Sequence, residues 1–252
     1  MAVSAGKKPI SCKSFRLSLA NNHLAEVKRV YGRRHGRPLS ATRQQAFDDL
    51  YDALKIPLEI LAEDGTLNPD TLFDAPRPTV FEIGFGSGEH VIDLMVKDPA
   101  RNYIAVEPFS NGMTMFLKQL RERGMATDNL RVLMDDALYV ARSLADNSLD
   151  EIYILNPDPW PKVRHHKRRI VRQDTLDHYA RILKKGGRLI MTTDVPDLAQ
   201  WMVTETVRHG ALRWTAACKA DWETAPEGWS PTRYELKGAK GAQKMAYLIF
   251  EK

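Results

Sequence analysis

Cysteine is nearly missing from this 252-residue sequence: only Cys12 and Cys218 occur, far apart and at no metal-binding or redox spacing. Two distant thiols make no disulfide framework, and both read as incidental in a reducing compartment. No apolar run approaches the roughly 18–20 residues that a membrane span needs. Lys7 and Lys8 are not followed by an apolar run of signal-peptide length, so a cytoplasmic protein is the expectation. His165 and His166 are adjacent rather than at ligand spacing, which speaks against a metal site. Internal repeats and low-complexity tracts are missing too. What is there is ordinary for a globular protein: 43% hydrophobic residues for a core, 27% charged residues, and a net charge of +5. That mild excess of positive charge permits a nucleic-acid partner without requiring one.

Residues 1–40 are polar and basic, with Arg29, Arg33, Arg34, His35 and Arg37 crowded around Gly32 and Gly36. A flexible or loosely docked arm is expected there. Ser40 or Thr42 can cap a helix in which Phe47, Leu50, Tyr51 and Leu54 fall on one face, and Pro57 ends it. The stretch "DAPRPT" (74–79) reads as a linker. It divides an arm and helix (1–73) from a main domain (74–252). Strands are then expected at 79–85, 103–107, 130–134, 149–155 and 187–193. Helices are expected at 89–96, around Met113–Leu120 up to Gly124, around Leu176–Leu183 up to Lys184–Gly187, and at 197–208. Weaker strands close the chain, "MAYLIFE" (245–251) the clearest. Such alternation predicts a doubly wound α/β fold, a mostly parallel sheet with helices on both faces.

Ligands of such sheets bind at the carboxyl ends of the strands. Here each of the first five predicted strands is capped or followed by an acid: Glu82, Glu107, Asp135 with Asp136, Asp158, and Asp194. One acid in a loop is commonplace, because Asp caps helices; five at successive tips point to a site. The turn "EIGFGSG" places Gly84, Gly86 and Gly88 between a strand and a helix, but Glu89 stands where a dinucleotide fingerprint needs its last glycine. With no glycine there and an acid, Glu82, two residues ahead of Gly84, a pyrophosphate fits poorly, and a zwitterionic sulfonium ligand fits better. Glu107, at the next tip, is placed to accept both hydroxyls of a ribose, and Asp136 to meet an adenine edge.

These features resemble the class I S-adenosylmethionine-dependent methyltransferases. "PDPWPKVRHHKRR" (157–169) narrows the likeness, because it resembles the P-D-P-W-x-K-x-R-H-x-K-R-R signature of bacterial tRNA (guanine-N7)-methyltransferases. "RRHGRPLSATRQQA" (33–46), "TTDVPD" (192–197) and "PTRYELKG" (231–238) agree in order, so the likeness spans about residues 29–251. The chain departs from the family pattern at Asn156, where Phe is usual, and at Val195, where Trp is usual. The resemblance implies that Glu82, Gly84, Gly86, Gly88, Glu107, Asp136 and Asp158 line the S-adenosylmethionine site. It further implies that Lys162, Asp194, Thr232, Arg233, Tyr234 and Glu235 contact the substrate. Asp158 is the residue expected to act on the reacting base, and tRNA is the expected partner.

The basic run Arg164, Lys167, Arg168 and Arg169, beside that loop, is expected to form a rim for RNA phosphates. Trp160 has two readings, a stacking surface for the base or a packing wedge. Three other functions compete. "NPDPW" partly imitates the N-P-P-[YFW] loop of exocyclic amino-group methyltransferases, but Asp158 separates the prolines. A non-catalytic RNA-binding module has no use for five acidic tips and a glycine loop. A nicotinamide dehydrogenase is disfavoured by Glu89. Monomer and homodimer stay equally open.

Overall fold

The computed structural model describes residues 30–236 and 244–252; the basic segment 1–29, including Arg29 and Cys12, lies outside them. Seven strands form one sheet: β1 (Thr79–Ile83), β2 (Asn102–Val106), β3 (Leu130–Leu133), β4 (Leu149–Leu155), β5 (Leu183–Thr193), β6 (Arg213–Trp214) and β7 (Ala246–Glu251). Their order is β3-β2-β1-β4-β5-β7-β6. β1 to β5 are parallel, and β7 pairs antiparallel with both β5 and β6.

β1 and β2 are buried at every position, which explains why both are unbroken apolar runs apart from a few polar residues. Alternate residues feed two cores. Phe81, Ile83, Ile104 and Val106 pack with α4 (Ala137–Ser143), α5 (Gln173–Ile182) and α6 (Pro196–His209). Val80, Tyr103 and Ala105 pack with α1 (Ala41–Leu54), α2 (Glu89–Lys97) and α3 (Ser110–Arg123) on the other face. The doubly wound architecture is as expected.

Two local expectations are corrected. The helix predicted through Leu183 ends at Ile182, and Leu183 already pairs with Leu149 as part of β5. Lys184–Gly187, expected as a helix end, is absorbed by a register shift between Leu149 and Glu151. α4, which no sequence pattern predicts, is a short helix that starts on Asp136.

Candidate active site

β1 and β4 are neighbours, yet β1 continues to β2 on one side and β4 to β5 on the other. The chain therefore reverses direction across the sheet at this point, and a crevice opens at the strands' carboxyl ends. The glycine turn enters it from β1. Gly88 has φ +81°, and a Cβ there would come within 2.1 Å of the Phe116 ring, so only glycine lets α2 start against α3. At Gly84 and Gly86 an added Cβ would meet nothing within 4 Å. Their bare backbone faces open space at the crevice.

Three carboxylates converge there. Glu82 is buried and bonded to His90 Nδ1 at 2.6 Å. Glu107 accepts N–H bonds from Gly86 (2.7 Å) and Phe109 (2.9 Å), one on each oxygen. Burial, the largest influence, and the negative charges of Asp158 and Glu82 together raise its pKa to about 7, against the two backbone donors. A carboxylate so placed, with lone pairs still to spare, suits a ligand bearing vicinal hydroxyl donors. Asp136 follows β3 and caps α4, its Oδ1 accepting from Leu138 N–H at 2.9 Å.

The stretch after β4 forms the opposite wall. Asp158 is exposed between two residues of left-handed backbone, Asn156 (φ +47°) and Trp160 (φ +44°). Left-handed backbone suits Asn but is strained for a bulky Trp. Asn156 Nδ2 donates to Thr232 Oγ1 at 3.1 Å, and Tyr234 donates to Asp194 at 3.1 Å. Glu235 holds the turn from within, accepting from the Thr232 hydroxyl and from Trp229 Nε1. The segment Thr232–Glu235 is thus fastened to the tips of β4 and β5. Asn156 belongs to the site, although in the sequence it is no more than a departure from the family pattern.

The outer edge is less uniform than its sequence. Lys162 is exposed, and no contact among the described residues ties it to Asp158 or Asp194. Arg168 lies with its guanidinium over both Trp160 (5.0 Å) and Tyr31 (5.2 Å), so one face of Trp160 is covered by a cation. His165 meets the same indole edge-on. Arg164 and Lys167 are exposed. Arg169 is not: only 1% of its side chain is accessible, and it cannot belong to an exposed phosphate rim. A run of basic residues looks uniform in sequence, but the short helical turn Val163–Arg168 delivers Arg169 inward.

Of the two expectations for the basic segment before α1, flexible or loosely docked, its described part is docked. Arg34 pairs with Asp135, its carbonyl accepts from Ser110 N–H at 2.9 Å, and Gly36 N–H donates to Asn111 at 2.7 Å. A Cβ on Gly32 would sit 3.6 Å from Asp158. Residues 31–37 therefore cross the crevice as a strap. A cavity of about 620 Å³ at the opposite edge, beside Arg77, Asp146 and Lys184, lies away from all of these groups. No helix among the described residues is long and apolar enough to cross a membrane, and no cluster among them could hold a metal.

Residues 76–248 match a family described as putative methyltransferase. A tRNA (guanine-N(7)-)-methyltransferase of Rhodospirillum rubrum is 40% identical over 228 residues, covering 90% of this chain and 89% of that protein. A second, of Rhizobium meliloti, is 41% identical over 223 residues, 88% of this chain and 94% of that protein. Among solved structures, the 16S rRNA methyltransferase KamB aligns over 71% of this chain and 88% of that one. Its TM-score of 0.50 at 17% identity is a likeness of fold alone. Matched along most of its length by the family and by these relatives, the chain belongs to the tRNA (guanine-N7)-methyltransferases.

Proposed function

We propose that the protein transfers a methyl group from S-adenosylmethionine to N7 of a guanosine in tRNA. The observation that carries the reading is the meeting of two walls at one crevice. One wall is the glycine turn with buried Glu82 and Glu107; the other is Asp158 with the Asp194–Tyr234 and Asn156–Thr232 contacts. The first wall fits the donor. Glu107 accepts its ribose hydroxyls, the open backbone at Gly84 and Gly86 leaves room for its chain, and Glu82 adds negative charge on the same side. When bound, the donor supplies a methyl group on a sulfonium that leaves as a neutral thioether.

Guanine N7 carries an in-plane lone pair, so no base has to remove a proton before attack. What the protein contributes is alignment and charge. The ring becomes cationic as the bond forms, and Asp158 and Asp194 favour that charge while accepting from the base's N1–H and amino group. Lys162, on its flexible stem, reaches O6 or a phosphate. Arg164, Lys167 and Arg168 hold the RNA backbone at the edge. Nucleoside mass spectrometry of tRNA incubated with enzyme and donor tests the whole reading. It should detect 7-methylguanosine; 6-methyladenosine, or no methylated nucleoside, overturns it.

A further inference from the structure

Arg169 ends the basic run yet is the largest fully buried side chain among the described residues, at 1% exposure. A guanidinium keeps its charge at any ordinary pH, so burial is not relieved by losing a proton. Its environment shows where that charge is used. Nε donates to the carbonyl of Pro159 at 2.9 Å, Nη2 pairs with Asp197, and the flat face lies 4.8 Å from the Trp201 ring. Trp201 is itself pinned, its Nε1 donating to Val171 at 2.7 Å. Nη1 has no partner among the described residues.

The two anchors are informative by their position. Pro159 follows Asp158 directly and precedes Trp160, whose left-handed backbone must be held by its surroundings. Asp197 lies in the first turn of α6, three residues beyond Asp194. One side chain therefore bridges the loop after β4 to the first turn of α6, just beyond the tip of β5. We propose that Arg169 is a positioning residue for methyl transfer: it braces the Pro159–Trp160 peptide against the start of α6 and so fixes the loop that carries Asp158 relative to Asp194. It holds no phosphate. Lysine cannot replace it, because a single ammonium cannot serve the carbonyl and the carboxylate while stacking on the indole.

The inference rests on the proposed roles of Asp158 and Asp194, and its test separates the two. Wild type, Arg169→Lys, Arg169→Met and Asp197→Asn are compared for 7-methylguanosine turnover, donor affinity by calorimetry, and tRNA affinity at several salt concentrations. Arg169→Met should lower kcat by about tenfold to a hundredfold, the range expected for a displaced reacting group. Donor affinity, tRNA affinity and the salt slope should stay within about twofold of wild type, since no phosphate or donor contact is removed. Arg169→Lys should recover only part of the loss. Asp197→Asn alters an exposed carboxylate and tests the brace even if the Met variant does not fold. It should lower kcat in the same direction, and combining it with Arg169→Lys should cost less than the product of the separate effects. Unchanged kcat in Asp197→Asn and in whichever Arg169 variants fold, or a weaker tRNA affinity and flatter salt slope with kcat unchanged, overturns the brace. If wild type itself forms no 7-methylguanosine, the proposed function fails instead.

Discussion

Glu107 carries the clearest pH signature. An acid whose pKa is raised from 4.5 to about 7 contributes stability that is complete below 4.5 and lost as pH rises through about 7. Ligand binding runs the other way, because hydroxyl donors favour the carboxylate. Donor affinity should therefore fall about tenfold between pH 8 and pH 6, with proton release on binding near neutrality. Calorimetry across that range, repeated on Glu107→Gln, checks it; an equally steep dependence in the Gln variant assigns the titration elsewhere. Asp158 is exposed and tied to no other side chain by a hydrogen bond among the described residues, so its loss should spare the fold. Asp158→Ala should retain its melting temperature and lose about a hundredfold in kcat, in line with removal of one group that stabilises developing charge. Near-normal turnover would remove Asp158 from the mechanism. The acids were legible in the sequence because each lies near the end of an apolar strand or just beyond it. Arg169 was not, because a run of like charges carries no sign of which member points inward, and Asn156 was hidden by looking like a substitution without consequence.

At the scale of elements, the glycine turn is the part that tolerates change least. Gly88→Ala combines a left-handed backbone with a Cβ inside the Phe116 ring, two penalties of roughly 1–3 kcal/mol each. The variant should melt well below wild type in a thermal scan, and the pairing of Gly88→Ala with Phe116→Leu should recover part of the loss. The strands β1 to β4 and the helices beside them were readable because burial on both faces leaves long apolar runs between turn residues. α4 was missed because seven residues give too few turns to display a helical period. The junction of α5 with β5 was misplaced for another reason. Lys-Lys-Gly-Gly is equally good chemistry for ending a helix and for bulging a strand, and tertiary pairing with β4 decides between them.

For the whole molecule, charge distribution matters more than the net value of +5. Arg164 and Lys167 stand free at the crevice edge, whereas Arg168 is shared between Tyr31 and Trp160. Neutralising Arg164 and Lys167 together should weaken tRNA binding and reduce the slope of log affinity against log salt by about 1–2, one for each phosphate no longer neutralised. Binding titrations from low to moderate salt measure both; an unchanged slope shows that the RNA lies elsewhere. The polar, basic composition of residues 31–37 is compatible with a flexible arm as well as with a loosely docked one, and does not show where the strap docks. Its docking depends on Asp135, Ser110 and Asn111, partners more than seventy residues away that no local pattern reveals.

β7, the final strand in the chain, occupies an inner position between β5 and β6. During synthesis on the ribosome, the glycine turn, Glu107 and Asp136 emerge long before that strand does. The segment carrying Thr232 and Tyr234 reaches the crevice only when the sheet is about to close behind it. On the proposed assignment, a nascent chain acquires every residue of its donor wall while its RNA wall is still incomplete. Strand order therefore leaves the sheet without an inner strand until the last residues are added, so the wall that carries Thr232 and Tyr234 is completed by the final stretch of chain to be made.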